Sequence, residues 1–331
     1  MQITRRQLPL LLATAITPAR FTPACAATPI RIGVLRFGTV SWELDVIRHH
    51  QLDTGANLTI QSIDLAAPQA AQLALQSGQV DMIVVDWLWV ARQRGSGADW
   101  TFVPFSNAVG ALIAPEQSPV RSLPDLIGRR LGIAGTPLDK SWIILRAHAL
   151  KKYRIDLDTK TSRDFGPPPL LAQQMNAGRL DALLTFWPFV AKAEAAGARR
   201  ILSVEDALTE LGIPPGAPTI GYTFAQAWAE QNRAPLDRFL AASRQARTIL
   251  ATSDAEWQRL KPLTGATDDR ELERLRDWYR SGIPRSWGTA ERQAATQLFD
   301  LLEKTGSADL VGPIREIPPG TFWPITWQPD A

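Results

Sequence analysis

Gly78-Gln79-Val80-Asp81-Met82-Ile83-Val84-Val85-Asp86-Trp87-Leu88-Trp89-Val90-Ala91 returns one hundred residues later as Gly178-Arg179-Leu180-Asp181-Ala182-Leu183-Leu184-Thr185-Phe186-Trp187-Pro188-Phe189-Val190-Ala191. Gly, Asp, Trp, Val and Ala hold the same places in both copies, and Gly97-Ala98 returns as Gly197-Ala198. Upstream, Thr39-Val40-Ser41-Trp42 has its counterpart in Asp139-Lys140-Ser141-Trp142. The spacing is longer than the ~20–50-residue units of solenoids. It reads as two similar α/β lobes in one chain, each with a polar helix start and a tryptophan at matching points. Two such lobes facing across a cleft form a clamp for a small molecule.

Each copy has the same order of elements. In the first, an apolar strand at 30–35 runs into Arg36-Phe37-Gly38, and Thr39 starts a helix to about residue 51. A strand at 58–63 and a helix at 68–77 follow, the helix stopped by Gly78. Residues 80–85 are continuously apolar and branched, as in a strand buried on both faces. In the second copy the strand is 130–134, and Asp139 caps a helix to about residue 153. Gly178 stops a helix at 170–176 before a strand at 180–185. Alternating helices and buried strands predict an α/β fold of two lobes, each a mostly parallel sheet flanked by helices. Residues 107–114 and 214–223 read as two crossovers. They divide the chain into lobe 1 (28–110 plus 222–331) and lobe 2 (111–221), with a hinge that permits closure. Beyond residue 225 the pattern is mainly helical, with Pro235 near a helix start and amphipathic stretches at 269–279 and 289–304. The Pro-rich tail 312–331 is expected to wrap irregularly over the surface.

At 331 residues the chain can hold two cores, and 45% hydrophobic with 21% charged content is ordinary for a globular protein. Residues 1–27 read as an export signal: Arg5-Arg6, the apolar stretch 8–19, and Ala24-Cys25-Ala26-Ala27 as a small-residue cleavage region. Thr4-Arg5-Arg6-Gln7-Leu8 fits either a twin-arginine or an ordinary secretory signal. Cys25, the only cysteine, is a poor match to a lipid-anchored one. Without Arg5, Arg6 and Arg20, the 36 Lys+Arg fall to 33, equal to the 33 Asp+Glu. The basic surface of a nucleic-acid binder is therefore unsupported.

Ligands of open α/β lobes bind outside the carboxyl ends of the strands, where helix N-termini gather. This selects Phe37, Thr39, Ser41 and Trp42, then Asp86 and Trp87, then Thr136, Lys140, Ser141 and Trp142, then Phe186 and Trp187, with Tyr222 after the return crossover. Ser41 and Ser141, at the second helical position, either receive an oxyanion beside free N–H groups or are polar surface next to the caps. Trp42, Trp87, Trp142 and Trp187 either plate a flat, apolar or cationic ligand or pack within and between the lobes. Asp86 either holds a ligand ammonium or bonds backbone groups at its strand end. Lys140 can counter an anion. Gly132-x-x-Gly135-x-x-x-x-Lys140-Ser141 departs from a phosphate-binding loop, because Asp139 stands where the glycine before the lysine is required. His49, His50 and His148 show no metal-ligand spacing. No metal, cofactor or catalytic residue is expected.

The strand–turn–helix at 30–53, Leu73-Ala74-Leu75-Gln76-Ser77-Gly78-Gln79-Val80-Asp81, and Leu123-Pro124-Asp125-Leu126-Ile127-Gly128-Arg129-Arg130-Leu131-Gly132-Ile133-Ala134-Gly135 resemble the nitrate/sulfonate/taurine-type substrate-binding proteins of ABC transporters. The likeness covers about residues 30–280. It implies the type II periplasmic binding fold and a monomeric periplasmic receptor for a small organic molecule. The partners it implies are an inner-membrane permease and its ATPase. It also implies a pocket lined at 37–42, 86–87 and 136–142. The tryptophan content departs from a small-oxyanion binder and leaves a larger organic ligand open. Relatives of this fold include desulfinases, which use a cysteine nucleophile, and thiamine-pyrimidine synthases, which use a histidine and a cysteine-rich iron motif. An exported enzyme and a periplasmic sensory partner are therefore the alternatives to a receptor.

Overall fold

The computed structural model describes residues 29–36, 38–305 and 308–328. Phe37 and the export-signal stretch 1–27, with Cys25, lie outside them. The described strands in chain order are β1 (Ile30–Leu35), β2 (Ile60–Leu65), β3 (Met82–Asp86), β4 (Trp100–Ser106), β5 (Gly110–Ala114), β6 (Arg130–Ala134), β7 (Ser162–Gly166), β8 (Ala182–Phe186), β9 (Arg199–Ser203) and β10 (Ile220–Ala225). They form two five-stranded sheets with helices packed on them, ordered β2-β1-β3-β10-β4 and β7-β6-β8-β5-β9. The fold is the expected two-lobed α/β arrangement, and the second sheet repeats the order of the first. β1 runs parallel to β2 and β3, and β6 to β7 and β8. β10 and β5 enter antiparallel to both of their neighbours. Both sheets are therefore mixed, because the crossover strand arrives from the opposite lobe and runs back against the rest.

The sequence repeat corresponds to repeated contacts. Asp81 Oδ2 accepts from the backbone N–H of Arg31 (2.8 Å) and from its Nε (3.1 Å). Asp181 Oδ2 does the same with Arg130, at 2.8 and 3.2 Å. One carboxylate thus ties β1 to the entry of β3, and another ties β6 to the entry of β8. The arginine holds the Asp181 carboxyl below the usual range. Gly33 and Gly132 let neighbouring leucines pack closely: an added Cβ would stand 2.8 Å from Leu65 Cδ1 and 2.6 Å from Leu180 Cδ1, and those side chains would have to shift. Gly78 and Gly178 end their helices with φ of +71° and +68°, a conformation that costs glycine little.

The first lobe has a buried ionic cluster. Tyr222 Oη donates to Glu43 Oε1 (2.6 Å), and Arg247 Nε lies 3.7 Å from Glu43 Oε2. The Arg247 guanidinium also donates to the Phe105 carbonyl (3.0 Å). Burial pushes the Glu43 carboxyl up, against the pull of Arg247, and pushes the Tyr222 hydroxyl well above its usual value. The cluster joins the helix Val40–His49, β10 and the helix Arg233–Thr252 in one core.

The tail departs from the surface wrap expected of it. It is irregular, but Thr321 and Trp323 are buried. The backbone N–H of Trp323 donates to the Phe102 carbonyl (2.9 Å), and Phe322 packs on Trp87, Phe102 and Trp287. Its aromatic side chains are too large to leave in water, so the tail tucks them against the outer strand β4.

Arg247→Met leaves Glu43 buried without its cation. The expected loss of stability at pH ~7 is about 3–5 kcal/mol, read by urea denaturation. Folding favours protonated Glu43, so stability falls as pH rises from the unfolded value of about 4.3 through the raised folded one. The deficit of the variant should therefore shrink at pH ~5.

Candidate functional site

Four strands end where the lobes face each other, and each is followed by a helix start. The helix Val40–His49 follows β1, Trp87–Gly95 follows β3, Lys140–Tyr153 follows β6 and Trp187–Ala195 follows β8. Asp86 accepts from the N–H of Leu88 (2.6 Å) and so caps its own helix. Asp139 accepts from the N–H groups of Ser141 (2.9 Å) and Trp142 (3.3 Å). Burial pushes its carboxyl up, while Lys140 and the two N–H donors pull it down. Thr39 occupies the cap position of the first helix but makes no side-chain capping bond. Ser41 Oγ instead donates to the Gly38 carbonyl (2.9 Å). The first-lobe helix start is thus the less capped of the two. Thr136 is exposed, and its hydroxyl accepts from the Leu138 N–H (3.2 Å). Phe186 is half-buried at the end of β8.

Lys140 Nζ forms an ion pair with Asp86 Oδ2. The pair joins a helix start of the second lobe to a strand end of the first, and both side chains are partly shielded from water. Trp42 and Trp187 meet edge to face with centroids 6.0 Å apart, one from each lobe. Tyr279 lies against both, at 6.1 and 6.4 Å, and Trp257 stands 5.7 Å from Trp42. Trp87 is fully buried, with Nε1 donating to the Pro218 carbonyl (2.9 Å) on the return crossover. Trp142 is buried beside Phe165, with the Arg146 guanidinium 5.9 Å from its ring. Tyr222 is fully buried in the ionic cluster. The structure therefore pairs Asp86 with Lys140 and Trp42 with Trp187 across the lobes, and Trp42 and Trp187 are buried, as are Trp87, Trp142 and Tyr222.

A second group of inter-lobe contacts involves residues the sequence reading did not nominate. The helix Asp269–Ser281 packs along the second-lobe helix Trp187–Ala195. Trp278 Nε1 donates to Glu194 Oε2 (2.9 Å), Lys192 Nζ lies 2.9 Å from Glu271 Oε1, and Arg200 sits 4.5 Å over the Trp278 ring. Burial pushes the Glu271 carboxyl up, but Lys192 and Thr267 hold it below the usual carboxylate range. No motif marks these residues: Arg200, Glu271 and Trp278 lie past the repeat, and the counterparts of Lys192 and Glu194, Arg92 and Arg94, do not share both signs of charge. One surface cavity of about 620 Å³, lined by Met175, Phe189 and Lys192, borders this junction, and another of about 620 Å³ is lined by Arg247, Arg285 and Trp327. The lobes meet through an anionic and a cationic side chain, Asp86 and Lys140, and through an aromatic contact between Trp42 and Trp187.

The family model described as NMT1/THI5 like matches residues 54–254, and the chain belongs to that family. The alkanesulfonate-binding protein SsuA from Xanthomonas axonopodis pv. citri, bound to MOPS, has a similar structure at 18% identity. That likeness covers 91% of this chain and 99% of that one, with a TM-score of 0.70. The periplasmic aliphatic sulphonate binding protein SsuA from Escherichia coli is similar at 18% identity, over 92% and 94% of the two chains, with a TM-score of 0.71. The desulfurization enzyme DszB is similar at 13% identity, over 87% and 96%, with a TM-score of 0.57. At these identities the likeness concerns the fold, which binding proteins and an enzyme share. Among curated proteins no sequence matches significantly.

Lys192→Ala combined with Trp278→Phe removes two half-exposed inter-lobe contacts worth together ~1 kcal/mol. The expected result is about a fivefold shift toward the open form, seen as a larger radius of gyration by solution X-ray scattering with unchanged circular dichroism. The Glu271 contact is present above the ordinary glutamate value of about 4.3 and is lost as pH falls through the lowered folded one, so acid should open the same junction.

Proposed function

We propose that this member of the NMT1/THI5-like family is the solute-binding component of an ABC importer. It closes its two lobes on a small organic molecule and presents the closed form to an inner-membrane permease and its ATPase. The observation that carries the reading is the Asp86–Lys140 ion pair, which spans the lobes where β3 ends and the helix after β6 starts. The family match, the likeness to two sulfonate-binding proteins and the signal-like residues 1–27 support it. No described helix is long and apolar enough to cross a membrane. The protein acts as an exported periplasmic monomer, with lobe 1 built from 28–110 plus 222–331 and lobe 2 from 111–221.

In this reading the ligand parts Asp86 from Lys140 as the lobes open and close. An oxyanion such as a sulfonate is met by the Lys140 ammonium, Ser141 and the start of the helix Val40–His49, where negative charge is favoured. Thr39, Ser41 and Thr136 complete the polar rim. Trp42 and Trp187 take an aliphatic, aromatic or heterocyclic body, and Asp86 is left to hold a donor group. Trp87, Trp142, Phe186 and Tyr222 support the walls. Binding without turnover is favoured over an enzyme: the chain's only cysteine is Cys25, so a mature chain would have no thiol nucleophile.

Tryptophan fluorescence and thermal shift against alkyl and aromatic sulfonates, nitrate, carboxylates, pyrimidines and quaternary amines test the proposal. A saturable response to one class, with the ligand recovered unchanged, is the expected result. A folded protein that answers to none of them would sink the receptor reading for these classes. For an anionic ligand, Lys140→Ala should weaken binding about 10–100-fold, the value of a charge-assisted hydrogen bond, with Lys140→Arg recovering most of it.

A further inference from the structure

His49 is the last residue of the helix Val40–His49 and His50 is its C-cap, while Glu256 stands in the first turn of the helix Asp254–Thr264. One nitrogen or oxygen from each of the three lies within 4.8 Å of the others. His50 Nε2 is 3.3 Å from Glu256 Oε2, and the two imidazoles stand 4.9 Å apart at 89°. Two of the three histidines in the chain are thus gathered at the opposite end of the helix from Ser41 and Trp42. We propose that His49, His50 and Glu256 form a binding site for a zinc-like divalent metal ion.

The donor set is one that zinc accepts, with a fourth position left for water. Glu256 is already oriented for it. Its Oε1 accepts from Arg259 Nε (2.9 Å) and Nη2 (2.6 Å), which fixes the carboxylate and turns Oε2 toward His50. The Ser253 hydroxyl accepts from the Glu256 N–H (3.1 Å) and holds the backbone. The Arg259 charge is shared with Asp45, 2.5 Å away. With neutral imidazoles, Glu256, Asp45 and Arg259 together carry one net negative charge, and the carboxyl end of the first helix adds its own partial negative charge. Tetrahedral zinc with bonds of ~2.0–2.2 Å needs its donors about 3.3 Å apart, so the cluster must contract. Both histidines are exposed and can rotate to do so. Adjacent histidines carry no recognisable spacing in the sequence, and the third donor comes from a distant helix. That is why the metal expectation drawn from spacing alone was negative.

Titration of the tag-free full chain with Zn(II) alone by calorimetry, and with Co(II) alone by visible absorption, tests the site. One ion per chain is expected, with the Co(II) band intensity of four-coordinate nitrogen and oxygen ligation. His49→Ala and His50→Ala should each weaken binding at least tenfold, and the double variant should abolish it with circular dichroism unchanged. Glu256→Gln should weaken it as well, and the histidine variants keep the test intact if that protein folds poorly. Absence of saturable binding, or binding that survives in the double histidine variant, overturns the proposal.

Discussion

Each sheet is completed by a strand that the other lobe delivers. β10 lies between β3 and β4, and β5 lies between β8 and β9. Neither strand can be withdrawn without splitting a sheet, so the two crossovers tie the lobes to each other. The packing at these strands is tight. A Cβ on Gly110 would stand 2.0 Å from the Thr185 carbonyl oxygen, and one on Gly221 would stand 2.3 Å from that of Val103. Glycine at both places lets the crossover backbone press against its neighbour. The helix starts that face each other across the junction take their positions from this arrangement.

The parts of the fold legible in the sequence were those that the chain states twice. β1, β3, β6 and β8 are apolar runs buried on both faces, and Gly78 and Gly178 end the helices before them. Asp139 caps as its position implies. The strands left unread are at sheet edges. β7 is Ser162-Arg163-Asp164-Phe165-Gly166, mostly exposed, with a polarity that resembles a loop. β4 and β9 close the other edges, and β4 contains Pro104. Edge strands need little apolar surface, so composition is a weak guide to them.

Segments nominated from the sequence meet at the junction, but the pattern could not say which side chains touch across it. Trp42 and Trp142 hold equivalent places in the repeat, yet Trp42 contacts the other lobe through Trp187, while Trp142 is enclosed near Phe165. The difference comes from Trp257 and Tyr279, which lie beyond the repeated region and pack on Trp42. Asp86 illustrates a related ambiguity. Its capping bond to Leu88 and its pairing with Lys140 realise both the local and the long-range roles that a carboxylate at a strand end can take.

The interruption of one sheet by the other also orders the assembly of the molecule. The strands of the second sheet are contiguous in sequence from Gly110 to Ser203, whereas the first sheet lacks its fourth-placed strand until Ile220–Ala225 has been made. Short-range pairing closes loops at lower entropic cost than long-range pairing. The inserted lobe can therefore form as a unit while the outer one still has a gap between β3 and β4. Until that gap is filled, the exposed edges of those two strands are where the unfinished chain is most open to wrong partners.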